Sequence, residues 1–148
     1  MSDEEWQEVL DTNLTGSFYM IRSVAPTFRA QQYGKIVNVS SVHGLRSEFG
    51  LANYAASKAG LLGLTRAAAV DTAASGVTVN AVAPGWIDTG SATEQERAMG
   101  AATPVGRPGT PDEVAHIVAM LAADQASYIT GQLIVVDGAN SINEERAV

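Results

Sequence analysis

A tyrosine and a lysine four residues apart form the clearest chemical pattern in this chain. Tyr54 and Lys58 belong to the stretch Asn-Tyr-Ala-Ala-Ser-Lys, which opens a run of small and apolar residues typical of a helix. Side chains four residues apart share one helix face, so we expect the phenol and the ammonium to lie side by side. A phenol ordinarily ionises at about pH 10, and a neighbouring cation favours the ionised form. Tyr54 is therefore a candidate proton donor and acceptor near neutral pH.

The same spacing has a structural explanation as well. Tyrosine and lysine are common residues, and the pair taken alone is more often an ordinary exposed contact on a helix. Asn13 has a comparable alternative. It interrupts an apolar helical stripe, and a buried amide bonded to the backbone would explain it. Whether Tyr54, Lys58 and Asn13 have structural or catalytic roles depends on the residues that surround them.

Length and composition indicate one globular domain. The chain has 148 residues, of which 46% are hydrophobic and 17% charged, with a formal net charge of −7. An acidic protein of this kind is a poor partner for nucleic acids and for anionic membranes. It has no cysteines, so we expect no disulfide and no thiolate metal site; no other metal site is predicted, and a cytoplasmic location fits. The acidic N-terminus lacks the apolar segment of a signal peptide, and no apolar run approaches a membrane span.

Hydrophobic periodicity and breaker residues predict three strands separated by helices. The strands are expected at 35–40, 77–83 and 133–136. The helices are expected from residue 2 to about 30, from about 53 to 74, and from 110 onward. A bend or break is expected in the first helix near Gly16 and Pro26. Residues 86–103 are predicted to be a loop with short helical turns, and the polar tail from Asn140 to be frayed.

Apolar strands that alternate with helices indicate an α/β fold with a parallel sheet and right-handed crossovers. In open sheets of this kind, ligands bind beyond the carboxyl ends of the strands. Ser41 follows the first strand and Pro84-Gly85 follows the second. Tyr54 lies near the start of the helix between those strands. These residues are therefore expected at one end of the sheet, which favours a shared site over isolated structural roles.

The chain resembles the C-terminal part of a short-chain dehydrogenase/reductase. The matching motifs follow the family's order and spacing over nearly the whole chain: Asn13-Leu14-Thr15-Gly16, Ile36-Val37-Asn38-Val39-Ser40-Ser41, Tyr54-Ala55-Ala56-Ser57-Lys58, Asn80-Ala81-Val82-Ala83-Pro84-Gly85, Thr89, Ile129-Thr130-Gly131-Gln132 and Val136-Asp137-Gly138. The resemblance implies a partial Rossmann-like, doubly wound parallel sheet made of the last three of the family's seven strands, with flanking helices. Residues 1–148 would be a single C-terminal portion of that domain, with no second domain.

The resemblance also implies a role for each candidate side chain. Tyr54 would exchange a proton with the substrate oxygen, and Lys58 would assist it and bind the nicotinamide ribose. Ser41, thirteen positions before Tyr54, would hold the substrate oxygen. Ser40 is the weaker candidate because its spacing is one residue off. Asn13 would help to hold a water molecule that links Lys58 to solvent.

The implied cofactor is NAD or NADP, of which only the nicotinamide end would meet this chain. Its expected contacts are Tyr54, Lys58, Pro84, Gly85, Ile87 and Thr89. Residues 90–100 would form a lid over the substrate. The implied reaction interconverts a carbonyl compound and a secondary alcohol by hydride transfer, as in 3-oxoacyl reductases or sugar and alcohol dehydrogenases. The expected partners are a small-molecule substrate and further copies of the chain, through the helices that begin near Ser2 and Asn53.

The sequence departs from the family pattern in two places. It contains no glycine-rich strand-turn-helix, which is the element that fixes the cofactor pyrophosphate at a helix N-terminus. The alternative function is therefore a catalytically silent, truncated form that keeps only self-association surfaces. Ala139 stands where many relatives have a second glycine, and a positive φ there would cost an alanine about 1 kcal/mol.

Overall fold

The computed structural model describes residues 1–143, so residues 144–148 of the predicted polar tail lie outside the described part. The helices are α1 (Asp3–Leu10), α2 (Gly16–Gln31), α3 (Ala52–Thr72), α4 (Glu94–Ala101) and α5 (Pro111–Ala122). The strands are β1 (Gly34–Val39), β2 (Val77–Pro84) and β3 (Leu133–Val136). The tail begins with a short 3₁₀ turn at Asn140–Ile142, where the sequence predicts frayed chain. None of the helices within residues 1–143 is both long and apolar enough to cross a membrane.

The strands form one parallel sheet in the order β1-β2-β3. Val37 of β1 is in register with Asn80, and Val135 of β3 is in register with Ala83. β2 is the central strand, and its residues 77–83 are all buried. The predicted α/β fold with a partial Rossmann-like parallel sheet is therefore confirmed.

Helix α3 covers β2 and contributes much of the core. Its residues Leu61 and Ala69 are almost completely buried, as is Val79 of β2. Ile21 of α2 joins Ala69 and Val79 in one apolar cluster. After a 3₁₀ turn, Gly76 ends this helical segment in a left-handed conformation with φ of +69°. The predicted stop signal at this glycine is confirmed.

A π-helical turn interrupts the first predicted helix. It spans Asp11–Thr15 and joins α1 to α2. The predicted break near Gly16 is confirmed, whereas Pro26 lies inside α2 without ending it. Single π-helical turns occur frequently at functional sites. This turn contains Asn13, one of the candidate site residues.

The buried amide of Asn80 joins β2 to the segment before β3. Its Nδ2 donates to the Ile129 carbonyl at 2.8 Å, and its Oδ1 accepts from the Gln132 N–H at 3.1 Å. The Thr130 hydroxyl oxygen accepts from the Val79 N–H at 3.0 Å. Asn80 is completely buried, and these bonds offset the cost of burying a polar side chain. The bonds fix the position at which β3 begins.

The region after β2 contains one short helix within the predicted loop. Helix α4 occupies part of the predicted loop, and a capping box starts it. The Thr93 hydroxyl accepts from the Glu96 N–H at 3.2 Å, and the Glu96 carboxylate accepts from the Thr93 N–H at 2.7 Å. The short helical turns predicted within this loop are therefore present as α4, and the Thr-x-x-Glu pattern fixes where the helix starts.

The turn after β3 places an alanine in left-handed backbone. Gly138 has φ of +61° and Ala139 has φ of +68°. The Asp137 carboxylate holds the turn, accepting from the N–H groups of Ala139 at 3.0 Å and Ser141 at 2.6 Å. Ala139 therefore has the positive φ at which the sequence analysis predicts strain for an alanine.

Candidate active site

Tyr54 and Lys58 lie on one face of α3, as their spacing predicts. The Lys58 ammonium nitrogen is 5.6 Å from the centre of the Tyr54 ring. It also donates a hydrogen bond to the Val39 carbonyl at 3.0 Å, at the end of β1. Lys58 is half-buried, and this desolvation lowers its pKa from the ordinary value because burial disfavours the charged form. The Lys58 ammonium therefore lies beside the Tyr54 ring, and two of its three N–H groups remain available as donors.

Ser41 lies just beyond β1, at the start of a 3₁₀ turn that spans Val42–Gly44. Its hydroxyl oxygen accepts from the His43 N–H at 3.2 Å. No described residue accepts the hydroxyl proton, so Ser41 can donate it to a ligand oxygen. A Cβ added to Gly44 would lie 3.0 Å from the Lys58 carbonyl carbon and oxygen. The glycine therefore lets the turn pack closely against α3 and brings Ser41 toward Tyr54.

Ser40 is directed to a different place from Ser41. The Ser40 hydroxyl donates to the backbone carbonyl of Lys58 at 3.0 Å, and the side chain is buried. Ser41 lines a cleft that Ser40 does not reach. Ser40 therefore packs against α3, whereas Ser41 lines the cleft.

Asn13 is linked to α3 and does not line the cleft. Its Nδ2 donates to the Ser57 hydroxyl at 3.2 Å, and Ser57 donates in turn to the Tyr54 carbonyl at 2.8 Å. The Asn13 carbonyl accepts from the Ser17 hydroxyl at 2.9 Å. The Asn13 side-chain amide therefore bonds to the Ser57 side chain, whereas a purely structural role would predict a bond to the backbone. The hydrogen bond between Asn13 and Ser57 therefore attaches the π-helical turn to α3, at a residue that lies between Tyr54 and Lys58 in the sequence.

A cleft of about 680 Å³ opens beyond the carboxyl ends of β1 and β2. Of the predicted site residues, it is lined by Ser41, Tyr54, Gly85, Ile87 and Thr89. Lys58 and Pro84 do not line the cleft; Lys58 contacts the Tyr54 ring, and Pro84 ends β2. The α4 region, which includes part of the predicted lid at 90–100, forms the outer wall. The structure therefore brings together most of the predicted side chains at the predicted end of the sheet.

Three rings meet at the inner wall of this cleft. The centres of the His43 and Tyr54 rings are 5.9 Å apart, and those of His43 and Trp86 are 6.2 Å apart. Both pairs meet edge to face, which is a favourable geometry for aromatic rings. His43 consequently stands between the candidate proton donor and the segment that follows β2.

The segment after β2 is held extended by pairing with Gly109. The Gly109 N–H donates to the Trp86 carbonyl at 2.9 Å, and the Asp88 N–H donates to the Gly109 carbonyl at 2.8 Å. Between these bonds, the N–H of Ile87 has no hydrogen-bond partner within residues 1–143. Ile87 lines the cleft, and its N–H is not used by another described residue.

Donors of Ile87 and Thr89, which line the cleft, and of Lys58, which contacts Tyr54, suit the nicotinamide end of NAD or NADP. Lys58 uses one N–H on Val39, which leaves two donors for ribose hydroxyls. The Ile87 N–H suits a carboxamide oxygen, and the Thr89 hydroxyl, 3.3 Å from that of Ser91, can donate or accept. This set of neutral donors and one cation matches the hydroxyl and amide groups of a nicotinamide ribose. Among residues 1–143, the cleft lining includes no lysine or arginine for a pyrophosphate.

Several residues of the cleft were not predicted from the sequence. They are Val42, His43, Glu48, Leu51 and Trp86. Those that follow Ser41 and Gly85 could have been found from their position just after a strand end. The α4 residues Gln95, Glu96 and Met99 line the cleft from within the range of the predicted lid, on the helix that Thr93 caps. Their placement depends on how distant segments pack, which spacing in the sequence does not reveal.

Comparison with known proteins identifies related sequences over almost all of the chain. The sequence model of the family described as enoyl-(acyl carrier protein) reductase matches residues 1–139. The chain is 46% identical over 142 residues to the 3-oxoacyl-[acyl-carrier-protein] reductase FabG of Rickettsia conorii. It is 45% identical over 147 residues to the acetoacetyl-CoA reductase of Shinella zoogloeoides. Each match covers 93% of this chain and 59% of the relative, so the chain spans little more than half of each relative's length.

Solved structures show the same relationship. A 3-oxoacyl-[acyl-carrier protein] reductase from Brucella melitensis superposes with a TM-score of 0.90 at 35% identity, over 97% of this chain and 55% of that protein. An acetoin dehydrogenase from Enterobacter cloacae gives a TM-score of 0.90 at 33% identity, over 99% of this chain and 59% of that protein. The chain thus spans between half and two thirds of the length of each of these proteins.

Proposed function

This chain belongs to the short-chain dehydrogenase/reductase family, and we propose that it carries the catalytic part of an NAD(P)-dependent oxidoreductase. The proposed reaction interconverts a carbonyl compound and a secondary alcohol. Relatives are named for reducing 3-oxoacyl and acetoacetyl thioesters, and a structural neighbour for oxidising acetoin. The substrate alternatives are therefore a 3-oxoacyl compound and a sugar or small alcohol.

One observation supports this proposal above the others. Tyr54 faces the same cleft as Ser41, with the Lys58 ammonium 5.6 Å from the Tyr54 ring centre. A proton donor, a hydrogen-bond donor for the reacting oxygen and a cation are the groups that carbonyl reduction needs from a protein. The purely structural alternative, an exposed pair on a helix, does not account for this shared cleft.

In the direction of reduction, the substrate carbonyl oxygen accepts a hydrogen bond from the Ser41 hydroxyl. Tyr54 gives its phenolic proton to that oxygen as negative charge develops there. The Lys58 ammonium stabilises the phenolate that remains. The bound nicotinamide cofactor supplies the hydride in this direction and accepts it in the other. In oxidation the phenolate of Tyr54 takes the alcohol proton, and Ser41 keeps the oxygen in place.

The remaining predicted residues act in binding and positioning. We assign the nicotinamide end of NAD or NADP to Lys58, Ile87 and Thr89, with Pro84-Gly85 setting the course of that segment. Gly85 packs tightly on β3, because an added Cβ would lie 2.7 Å from the Asp137 Cβ. Asn13 holds α3 through Ser57 and is proposed to help hold a water molecule near Lys58.

A second candidate function is self-association without catalysis. It is favoured by the absence of a glycine-rich turn from the 148 residues, since the described cleft provides no pyrophosphate site. In that case the helices and the open edge of β1 would serve as contact surfaces. The two candidates differ in whether turnover appears when the cofactor-binding part is supplied.

The test uses a completed protein, defined as this chain preceded by the N-terminal cofactor-binding segment of a full-length relative. Oxidation of NADH or NADPH in the presence of ketones is followed by absorbance. We expect ketone-dependent turnover, and we expect Ser41→Ala to lower it about 10-fold or more because the reacting oxygen loses a donor. The matched control is Ser47→Ala, an exposed serine, which should leave turnover unchanged. Absence of turnover with every ketone and both cofactors would favour the silent alternative.

A further inference from the structure

We infer that the ion pair between Arg97 and Asp88 is a latch that holds α4 over the cleft, and that a ligand enters the cleft when this pair separates. The latch is a property of the chain itself, whereas the identity of the ligand as a carbonyl substrate rests on the proposed function. Arg97 and Asp88 are positioning residues in this account, because they place the cleft wall and do not touch the reacting atoms.

Helix α4 forms the outer wall of the cleft without being packed into the core. Gln95, Glu96 and Met99 line the cleft from this helix. Of its eight residues only Gly100 is buried, and Met99 is 41% exposed. Burial of apolar surface therefore contributes little to holding the helix in place. The position of α4 depends instead on how its ends and its side chains are bonded.

Both ends of the segment that carries α4 are fixed to one short stretch of chain. At the start, the Asp88 N–H donates to the Gly109 carbonyl at 2.8 Å. At the other end, Gly100 packs closely on Pro108, because an added Cβ would lie 2.5 Å from the Pro108 Cβ. The intervening residues 89–99 can therefore move as a flap while Asp88 and Gly100 keep their places.

One side-chain bond closes this flap onto its base. The Arg97 Nε donates to the Asp88 Oδ1 at 2.9 Å. Within residues 1–143, this is the only hydrogen bond from residues 90–99 to a residue outside 89–102. The capping box of Thr93 and Glu96 lies within the flap, so it shapes the helix without attaching it to the base. Arg97 therefore supplies the connection between α4 and the anchored segment.

The strength of this ion pair suits a latch that can open. The side chains of Arg97 and Asp88 are 47% and 45% exposed, so solvent screens their attraction. An exposed pair of this kind shifts an equilibrium by up to about fivefold. The pair therefore favours the closed position of α4 without locking it, as a lid over a binding cleft requires.

Hydrogen–deuterium exchange of the 148-residue chain measures the opening of α4. For amides that exchange through brief local opening, the exchange rate is proportional to the open population. We expect Arg97→Gln and Asp88→Asn each to speed exchange in α4 about two- to fivefold, while exchange in β2 stays unchanged. The matched control is Arg66→Gln, which removes an exposed arginine from α3 and should change neither rate.

Combined variants separate a pairwise latch from two local effects. If the ion pair acts as a unit, Arg97→Gln together with Asp88→Asn should speed exchange by the same factor as either change alone. The charge-reversed variant, Asp88→Arg with Arg97→Asp, should recover part of the lost protection. Unchanged exchange in both single variants, or multiplied effects in the neutral double variant, would overturn the latch. Exchange of α4 at the rate of an unfolded peptide in the unmodified chain would do so as well, because no closed state would then exist.

Thiol labelling tests whether the latch controls entry to the cleft. The sequence has no cysteine, so Val42→Cys introduces a single thiol at a buried residue that lines the cleft. We expect Arg97→Gln to speed its reaction with iodoacetamide by the same factor as the exchange of α4. Ser127→Cys, at an exposed residue outside the cleft lining, is the control and should react at an unchanged rate. If exchange in α4 responds to Arg97→Gln but labelling at position 42 does not, α4 opens without admitting ligands and the inference fails.

Neither measurement uses cofactor, substrate or turnover. If the latch is present but the completed protein reduces no ketone, the proposed function fails and the latch stands. If the completed protein reduces ketones but exchange and labelling do not respond to Arg97→Gln, the proposed function stands and the latch fails.

Discussion

The Lys58 ammonium lies 5.6 Å from the centre of the Tyr54 ring and at the same time donates to the Val39 carbonyl at 3.0 Å. The lysine thereby joins the phenol on α3 to the end of β1. Ser41 follows that strand end after one residue. One side chain therefore sets both the charge near Tyr54 and the spacing between the two elements that carry the proposed chemistry.

The isolated chain should bind NAD(H) or NADP(H) only weakly. Lys58, Ile87 and Thr89 offer donors for the nicotinamide end, but a glycine-rich turn for the pyrophosphate is absent from the sequence. We expect dissociation constants in the millimolar range or weaker, which corresponds to about −4 kcal/mol or less favourable. Isothermal titration calorimetry measures this directly. A micromolar dissociation constant would show that these 148 residues hold the cofactor without a glycine-rich turn, contrary to this prediction.

The isolated chain should also associate with itself. β1 pairs with β2 on one side only, and its other edge is open within the described residues. Val39 on this strand is 51% exposed, and neighbouring Tyr19 and Met20 on α2 are 51% and 67% exposed. Open strand edges beside apolar surface favour pairing with another chain. We expect dimers, larger oligomers or aggregates in light scattering across a dilution series.

A charge placed on this edge should reduce the association. Val39→Lys puts an ammonium beside the open backbone groups, which disfavours strand pairing. The control is Val105→Lys, at an exposed valine outside the sheet, and it should leave the association unchanged. A monodisperse monomer of the unmodified chain at micromolar concentration, with a cooperative melt, would show that β1 is closed in another way.

Glu113 should make stability depend on pH in acid. Its carboxylate accepts two hydrogen bonds from Arg107, at 2.7 and 3.0 Å, and one from the Thr110 N–H at 2.8 Å. These bonds lower its pKa from 4.5 to about 2. Because the folded pKa is the lower one, the stabilisation is present above pH 4.5 and is lost as the pH falls toward about 2.

Replacement of the Glu113 carboxylate should make the free energy of unfolding depend less on pH in acid. Urea unfolding of the unmodified chain and of Glu113→Gln is compared between about pH 5 and pH 3. The unmodified chain should lose more stability over this range than the variant. Glu94→Gln, at an exposed glutamate in the first turn of α4, is the matched control and should keep the original profile. Identical slopes for Glu113→Gln and the unmodified chain would refute the linkage.

Ala139→Gly should stabilise the chain. Ala139 has φ of +68°, where a Cβ is strained and glycine is not. We expect a gain of about 0.5–1 kcal/mol, measured as a higher urea midpoint at unchanged slope. Ala123→Gly tests the reverse case, because Ala123 has an ordinary extended backbone with φ of −76°; it should lower stability. A loss of stability in Ala139→Gly would mean that the methyl group makes contacts worth more than the strain.

The sequence predicts the elements whose signals are local. β3 occupies the predicted residues 133–136, and α5 starts at the predicted capping box of Thr110. Ser41 and Tyr54 lie in one cleft because strand ends and helix starts of a parallel sheet meet at one edge. These outcomes follow from spacing and residue type alone.

The rest of the site depends on contacts between distant segments. His43 borders the cleft because the turn after Ser41 packs on α3 at Gly44. Trp86 is placed by the pairing of its segment with Gly109, more than twenty residues away. Neither contact has a signature in the local sequence, so the positions of His43 and Trp86 could not be predicted from it, whereas the shared cleft of Ser41 and Tyr54 could.

The most direct test of the proposed chemistry is turnover by the completed protein carrying Tyr54→Phe. The substitution removes only the phenolic oxygen, so cofactor binding should remain within a few-fold while ketone reduction falls by about 10²–10⁴-fold. Lys58→Ala, by contrast, should weaken both cofactor binding and turnover, since Lys58 is assigned to both. Tyr19→Phe, at an exposed tyrosine of α2, serves as the matched control and should retain full activity. If Tyr54→Phe kept most of the turnover, Tyr54 would not be the proton donor and the proposed mechanism would be wrong.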